Sequence, residues 1–103
     1  EGADLRGAYL EGADLRGAYL EGADLRGARG YRDSHDIFAE AVRRQRVEVF
    51  SEAEWSAIAQ ITIHRLCWDT IKKRFADVMP HILEELAKAG FGKWLEYWKE
   101  DNN

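Results

Sequence analysis

The chain of 103 residues carries one cysteine, one proline and one methionine. A single thiol, Cys67, cannot close an internal disulfide, which excludes a secreted disulfide scaffold. No apolar run approaches the ~20 residues that cross a bilayer as a helix, and no signal-peptide pattern opens the chain. A cytoplasmic protein without a membrane partner is the expectation. Basic residues are in slight deficit, and the net charge of −4 argues against direct nucleic-acid binding, which needs a basic face. No G-x-x-x-x-G-K-[ST] phosphate loop or other catalytic motif is present, so neither an enzyme nor a cofactor is expected.

What is present is a globular balance. Apolar residues make up 46% and charged residues 33%, with four each of Trp, Tyr and Phe. That supply of aromatics is enough for a compact core at this length.

The first thirty residues are a tandem repeat. Glu-Gly-Ala-Asp-Leu-Arg-Gly-Ala-Tyr-Leu runs over 1–10, returns unchanged over 11–20, and runs again from Glu21 to Ala28 before breaking at Arg29-Gly30. A shorter period of five lies inside it. Leu5, Leu10, Leu15, Leu20 and Leu25 recur, each with an alanine two places earlier: Ala3, Ala8, Ala13, Ala18 and Ala23. Five steps around a helix scatter the leucines, and five steps along a strand alternate their faces. A glycine every fifth residue weakens both elements. The spacing instead predicts a chain that turns a corner every five residues with Leu and Ala inward, the mark of a solenoid.

Ala-Asp-Leu-Arg-Gly followed by Ala-Tyr-Leu-Glu-Gly resembles the pentapeptide-repeat family, whose motif is A(D/N)LXX. The resemblance implies a right-handed, four-sided β-helix, and thirty residues would form about one and a half coils. Residues twenty apart would then stack at the inter-strand spacing. Asp4 would lie over Asp24 and Arg6 over Arg26, with Asp–Arg diagonals offsetting the like charges. The sides bearing Tyr9/Glu11 and Tyr19/Glu21 lack a base and should be the more acidic ones. So few coils cannot bury a core alone, so the segment reads as the end of a longer solenoid. Some members of the family mimic duplex DNA and bind DNA gyrase; Asp4, Glu11, Asp14, Glu21 and Asp24 are the acidic candidates for that alternative. Arg6, Arg16 and Arg26 offset much of their charge.

From Tyr31 the pattern becomes helical, and a division into residues 1–30 and 31–103 follows. Asp33 or Ser34 suits an N-cap, ahead of an apolar face at Ile37, Phe38, Ala41 and Val42. Ser51-Glu-Ala-Glu54 is a capping box, so a second helix should start at Glu52 and bury Trp55, Ile58, Ala59, Thr62 and Leu66, with Ile61 making that face broad. Trp68, Ile71, Phe75 and Val78 extend that pattern to Met79-Pro80, where a new helix begins. Gly90 suits the residue past its end, with Phe91 as the contact that follows. Trp94, Leu95 and Trp98 form a last turn or two, and Asp101-Asn102-Asn103 should fray. The fold class expected is therefore a β-solenoid segment followed by an all-α cap of three to four helices. The cap's Ile37, Phe38, Trp55, Trp68, Trp94 and Trp98 would close the solenoid end. This helical stretch is similar to the C-terminal region of some bacterial pentapeptide-repeat proteins in Ser34-His35-Asp36-Ile37, Cys67-Trp68 and Leu86-Ala87.

His64 and Cys67 share a helical face with Asp69 nearby, but a metal or nucleophile site needs a further convergent group. A partly buried thiol beside Trp68 is the expectation. His35 reads as a first-turn helix residue and His81 as a surface residue. Arg43, Arg44 and Arg46, like Lys72, Lys73 and Arg74, read as solvated helix faces with Glu40, Glu48 and Asp69 as neighbours, and Trp94, Tyr97 and Trp98 as a stripe that folds back on the core. The function expected is structural: a scaffold or self-associating unit, with a protein partner or a homo-oligomer or fibre, and no metal.

Overall fold

The computed structural model describes residues 3–15 and 20–101. Within the repeat, leucine opens a turn every five residues. The carbonyls of Leu5, Leu10, Leu20 and Leu25 accept from the amides of Ala8, Ala13, Ala23 and Ala28 at 2.9–3.0 Å. The third residue of each turn is a glycine at positive φ: Gly7 at 69°, Gly12 and Gly22 at 76°, Gly27 at 73°. A type II turn requires that conformation there, and side chains with a Cβ resist it.

Between turns the chain runs alongside itself in parallel. Asp4 bridges Asp24, and Tyr9 bridges Arg29. The Leu5 amide donates to the Asp24 carbonyl at 2.8 Å and the Asp24 amide to the Ala3 carbonyl at 2.8 Å. One corner further on, Arg29 donates to Ala8 at 2.9 Å and Leu10 to Arg29 at 2.8 Å. These are isolated bridges, and the expected β-solenoid is not seen. Helix accounts for 54% of the described residues, in five helices, and no strand or sheet is present among them. The physical reason lies in the period: a turn every five residues interrupts each ladder after a single pair.

Burial in the repeat is uneven. Leu10, Leu20, Ala23, Leu25 and Ala28 are buried, whereas Leu5, Ala8 and Leu15 are only partly so. Ala3 and Ala13, expected inside, are exposed. Ala18 and Tyr19 lie outside the described residues. The stretch 20–28 has the first pass of chain on one side and, on the other, Arg44 at the end of the first helix and Phe91 in the turn after the fourth; the first pass has no such backing.

The helices follow from their caps. Ser34 accepts from the Ile37 amide at 3.2 Å and starts α1, His35–Arg43. A 3-10 turn at Val47–Val49 leads to Ser51, whose capping box with Glu54 starts α2, Glu52–His64. Arg65 takes a left-handed φ of 49° and ends α2, so the apolar run beyond it becomes a separate helix, α3, Trp68–Arg74. Pro80 sits in the first turn of α4, Met79–Lys88. Its end is a Schellman turn: the Phe91 amide reaches Leu86 at 2.9 Å and the Gly90 amide Ala87 at 3.1 Å, with Gly90 at φ 99°. α5, Lys93–Asp101, closes the described chain. Five helices rather than three to four result, because the left-handed Arg65 divides one apolar run in two.

A single apolar cluster joins the two halves. Leu20, Leu25 and Ala28 belong to the same core as Ile37, Phe38, Leu86 and Trp94. Met79, Ile82, Leu83 and Leu86 have no exposed surface, and each such side chain contributes about 1.5–3 kcal/mol. The buried face of α2 differs from the expectation. Ile58 and Ile61 are buried as expected, but Glu54 and Ala57 join them, while Ala59 is exposed and Trp55 and Thr62 are half-buried. An apolar pattern that runs all round a helix does not specify which side meets the core.

The repeat breaks where the chain leaves it. Gly30 has φ 76°, and a Cβ there would meet the Glu11 amide nitrogen and the Tyr9 ring, each at 2.9 Å. Gly12 shares the φ but has nothing within 4 Å of that position. Gly30→Ala should cost ~2–3 kcal/mol, combining φ strain with a backbone collision, while Gly12→Ala should cost about 1 kcal/mol from φ alone. Urea denaturation of both variants checks this; equal losses would exclude the close approach at Gly30.

Candidate functional site

Glu40 is placed on the buried side of α1, with a side chain only 3% exposed. A carboxylate there needs compensation, and two arginines one turn later supply it. Arg44 Nε donates to Glu40 Oε2 at 2.7 Å, and Arg43 pairs with Glu40 Oε1. Burial alone would raise the Glu40 carboxyl; hydrogen bonds from Arg44 and Arg43 outweigh it and hold the group below its ordinary value. The fixed Arg44 then points its Nη2 into the repeat, donating to the carbonyls of Ala23 at 2.9 Å and Leu20 at 3.4 Å. Its guanidinium also lies 5.6 Å from the Phe91 ring centre. Arg44 is thus no solvated face residue. It joins α1, the repeat and the turn after α4.

A second junction holds the exit of the repeat. Tyr31 is buried, packs edge-on against Trp94 with centroids 4.7 Å apart, and accepts from the Lys93 amide at 3.3 Å. Burial pushes its phenol up to about 12. Trp94 Nε1 donates to the Arg32 carbonyl at 3.2 Å, so α5 grips both sides of that corner.

The repeat's charges are largely paired. Arg6 is bonded to Asp4 at 2.9 Å and Arg26 to Asp24 at 2.6 Å, and the diagonal from Arg6 to Asp24 is 3.6 Å. The hydrogen bond from Arg26 depresses the Asp24 carboxyl to about 2. Tyr9 and Glu11 bond to each other, and Arg29 stands 5.8 Å from the Tyr9 ring centre. The side expected to lack a base therefore has one, supplied by the residue at which the repeat breaks. Asp14 and Glu21 are exposed, and each has an interaction within the chain.

The aromatic candidates separate by depth. Ile37, Phe38, Trp68 and Trp94 are buried, and Trp98 packs on the core from a half-buried position, edge-on to Trp68. Trp55 is half-buried, its indole donating to the Val47 carbonyl at 2.8 Å. Asp101 is helical, accepting from Trp68 Nε1 at 2.6 Å and Lys72 Nζ at 3.3 Å, so the expected fraying does not extend to it. Asn102 and Asn103 lie outside the described residues.

Cys67 is exposed, contrary to the expectation of partial burial, because it caps α3 instead of lying within a helix. A hydrogen bond with Thr70 at 3.2 Å lowers its thiol. His64 ends α2 and makes no recorded contact with it. His35 Nε2 reaches the Leu66 carbonyl at 2.6 Å. His81 is more than a surface residue, bonding Glu54 at 2.6 Å with its Nδ1 and lying 3.5 Å from Glu85. Among the described residues no three His, Cys, Asp or Glu side chains converge as metal ligands. The sequence places Glu40 beside these arginines but not its burial, nor the reach of Arg44 to the repeat, nor the Glu54–His81 contact; the available signal was a carboxylate falling on an apolar helix face.

Residues 1–29 match the family model of pentapeptide repeats. No curated protein and no solved structure is detectably similar to the chain. The pentapeptide-repeat segment thus carries the family likeness, and the geometry assigns it a partner inside its own chain. No helix is long and apolar enough to cross a membrane among the described residues.

Glu40→Gln should destabilise the fold by about 2–3 kcal/mol, below the range for fully buried pairs because both arginines keep a wet side. Arg44→Met, which keeps the stem, should accelerate amide exchange in 20–30 more than in α4. Uniform exchange throughout would contradict the junction. The carboxyl of Asp24 gives a pH test. Its folded value lies below the ordinary 3.8, so its contribution is present above pH ~4 and disappears as pH falls towards ~2. An NMR titration of the Asp24 carboxyl showing an ordinary midpoint would contradict the pairing.

Proposed function

We propose that the protein is a structural, interaction-mediating protein, in which a helical block holds a pentapeptide-repeat segment in a fixed pose for contact with protein partners. The observation that carries this reading is the Arg44 junction. One arginine, neutralised by the buried Glu40, donates to two carbonyls of the repeat. Such a brace serves rigidity, and a rigid presented surface suits association more than turnover. The pentapeptide-repeat likeness points to the same class of role, non-enzymatic and interaction-based. Self-association is the form we favour, as a scaffold or assembling unit.

The alternative of a DNA mimic that engages gyrase loses support from the same geometry. Two of its five acidic candidates, Asp4 and Asp24, are bonded to Arg6 and Arg26. A third, Glu11, is bonded to Tyr9. A duplex mimic needs uncompensated charge in an extended array.

Light scattering and electron microscopy over a concentration series should show association that grows with concentration. A monodisperse, folded monomer throughout would overturn self-association. In a gyrase supercoiling assay, micromolar protein should leave the reaction unchanged; clear inhibition would restore the DNA-mimic reading.

A further inference from the structure

Within α2, residues 55–63 read Trp-Ser-Ala-Ile-Ala-Gln-Ile-Thr-Ile, nine consecutive residues without a charge in a chain that is 33% charged. The inner side, Ala57, Ile58 and Ile61, is buried in the core. The outer side is a stripe of Ser56, Ala59 and Ile63, all exposed, with Ile63 at 73%. These fall at i, i+3 and i+7, the spacing of a helix–helix seam. Beside the stripe stand the half-buried Trp55 and the 72%-exposed Val47, joined by the Trp55–Val47 hydrogen bond. Ile63 on α2 and Val47 on the preceding 3-10 turn are both left in water, and an apolar patch of this kind, unlike a single exposed side chain, marks an interaction face.

The ends of the stripe differ in sign. Glu52 lies at its start, in the first turn of α2, and makes no ion pair among the described residues. Towards the other end Arg65 is ion-paired with Asp36 at 3.3 Å, and the cation left over is Arg74, whose Nη2 donates to Gln60 at 3.2 Å and which has no carboxylate partner among the described residues. A surface that is neutral in the middle, acidic at one end and basic at the other is complementary to itself when turned end for end.

We propose that the outer face of α2 is the self-association surface, and that two copies of this chain pair there with their α2 helices antiparallel about a two-fold axis near Ala59. This proposal rests on the self-associating reading above and adds the face and its orientation. The small Ala59 and Ser56 let the helices approach closely. Ile63 of each copy then covers Trp55 and Ser56 of the other. Glu52 of each copy faces Arg74 of the other, and opposed helix dipoles add to the match. A contact of this length is at the small end of specific interfaces, so the dimer should dissociate in the micromolar range.

Sedimentation velocity on the full chain, from low micromolar to millimolar concentration, tests it. The wild type should pass from monomer to dimer. Ile63→Lys alters an exposed side chain, so melting temperature and circular dichroism at low concentration should be unchanged while dimerisation weakens at least ~30-fold. Arg74→Glu should weaken it less, and the double variant Glu52→Arg with Arg74→Glu should regain most of the loss, as an antiparallel pairing demands. In a Cys67→Ser background, Ala59→Cys should form an intermolecular disulfide under mild oxidation, since the two-fold brings the pair within bonding range. If Ile63→Lys dimerises like the wild type, the α2 face is wrong and self-association survives elsewhere. If the wild type is monomeric throughout, both the face and self-association fall.

Discussion

One buried carboxylate organises the union of the two halves. Glu40 falls on the core side of α1, where an unpaired charge is untenable, so it draws in Arg43 and Arg44. Once held, Arg44 has donors left over, and the nearest acceptors are the Leu20 and Ala23 carbonyls of the repeat. A turn-rich segment with only isolated bridges has little cooperativity of its own. Its order depends on neighbours that satisfy its backbone and cover its leucines, and the helical block does both. The dependence runs one way. The helices share a core of Met79, Ile82, Leu83 and Leu86, whereas the repeat is most buried where it meets them.

The break in the repeat shows the same logic at single residues. Continuing the decapeptide would place Tyr at 29 and Leu at 30. Arg29 instead brings a cation over Tyr9, and Gly30 lets the backbone approach Glu11 where a side chain would collide. Tyr31 then enters the core against Trp94, with its hydroxyl accepting from the first amide of α5. Three consecutive departures from the repeat therefore convert a turning chain into one anchored on a helix. Ser34 completes the change by capping α1 three residues later.

Legibility in the sequence followed the range of the interaction. Local rules read well: the capping box at Ser51, the N-cap at Ser34, the proline start of α4 and the glycine end at Gly90 each depend on a few neighbouring residues. The twenty-residue offset that brings Asp4 beside Asp24 was also visible, because an unchanging repeat carries its own register. The leap from that offset to a β-solenoid failed, since so short a repeat with a turn every fifth residue makes only single bridged pairs. The buried side of α2 was misread because Ala, Ile and Trp surround it, leaving no polar face to define solvent. The contact of Arg44 with the repeat and the Glu54–His81 contact were illegible for a different reason. Arg44 meets its carbonyls more than twenty residues away, and His81 meets Glu54 twenty-seven residues away, and no pattern along the chain encodes such meetings.

The charge arrangement bears on what kind of surface the repeat presents. An exposed ion pair contributes little to stability, because water already solvates both partners. Pairing nonetheless changes what a partner meets: Asp4–Arg6 and Asp24–Arg26 are adjacent dipoles, not a line of negative charge. Paired charges of this kind have a shorter-ranged field than a line of like charge, and salt screens it further within a Debye length. A partner of the proposed kind would then be recognised by short-range fit, through apolar contact and matched hydrogen bonds. That requirement favours an uncharged, partly apolar face over a steering field, and it makes the neutral outer side of α2 a better contact surface than the more highly charged repeat.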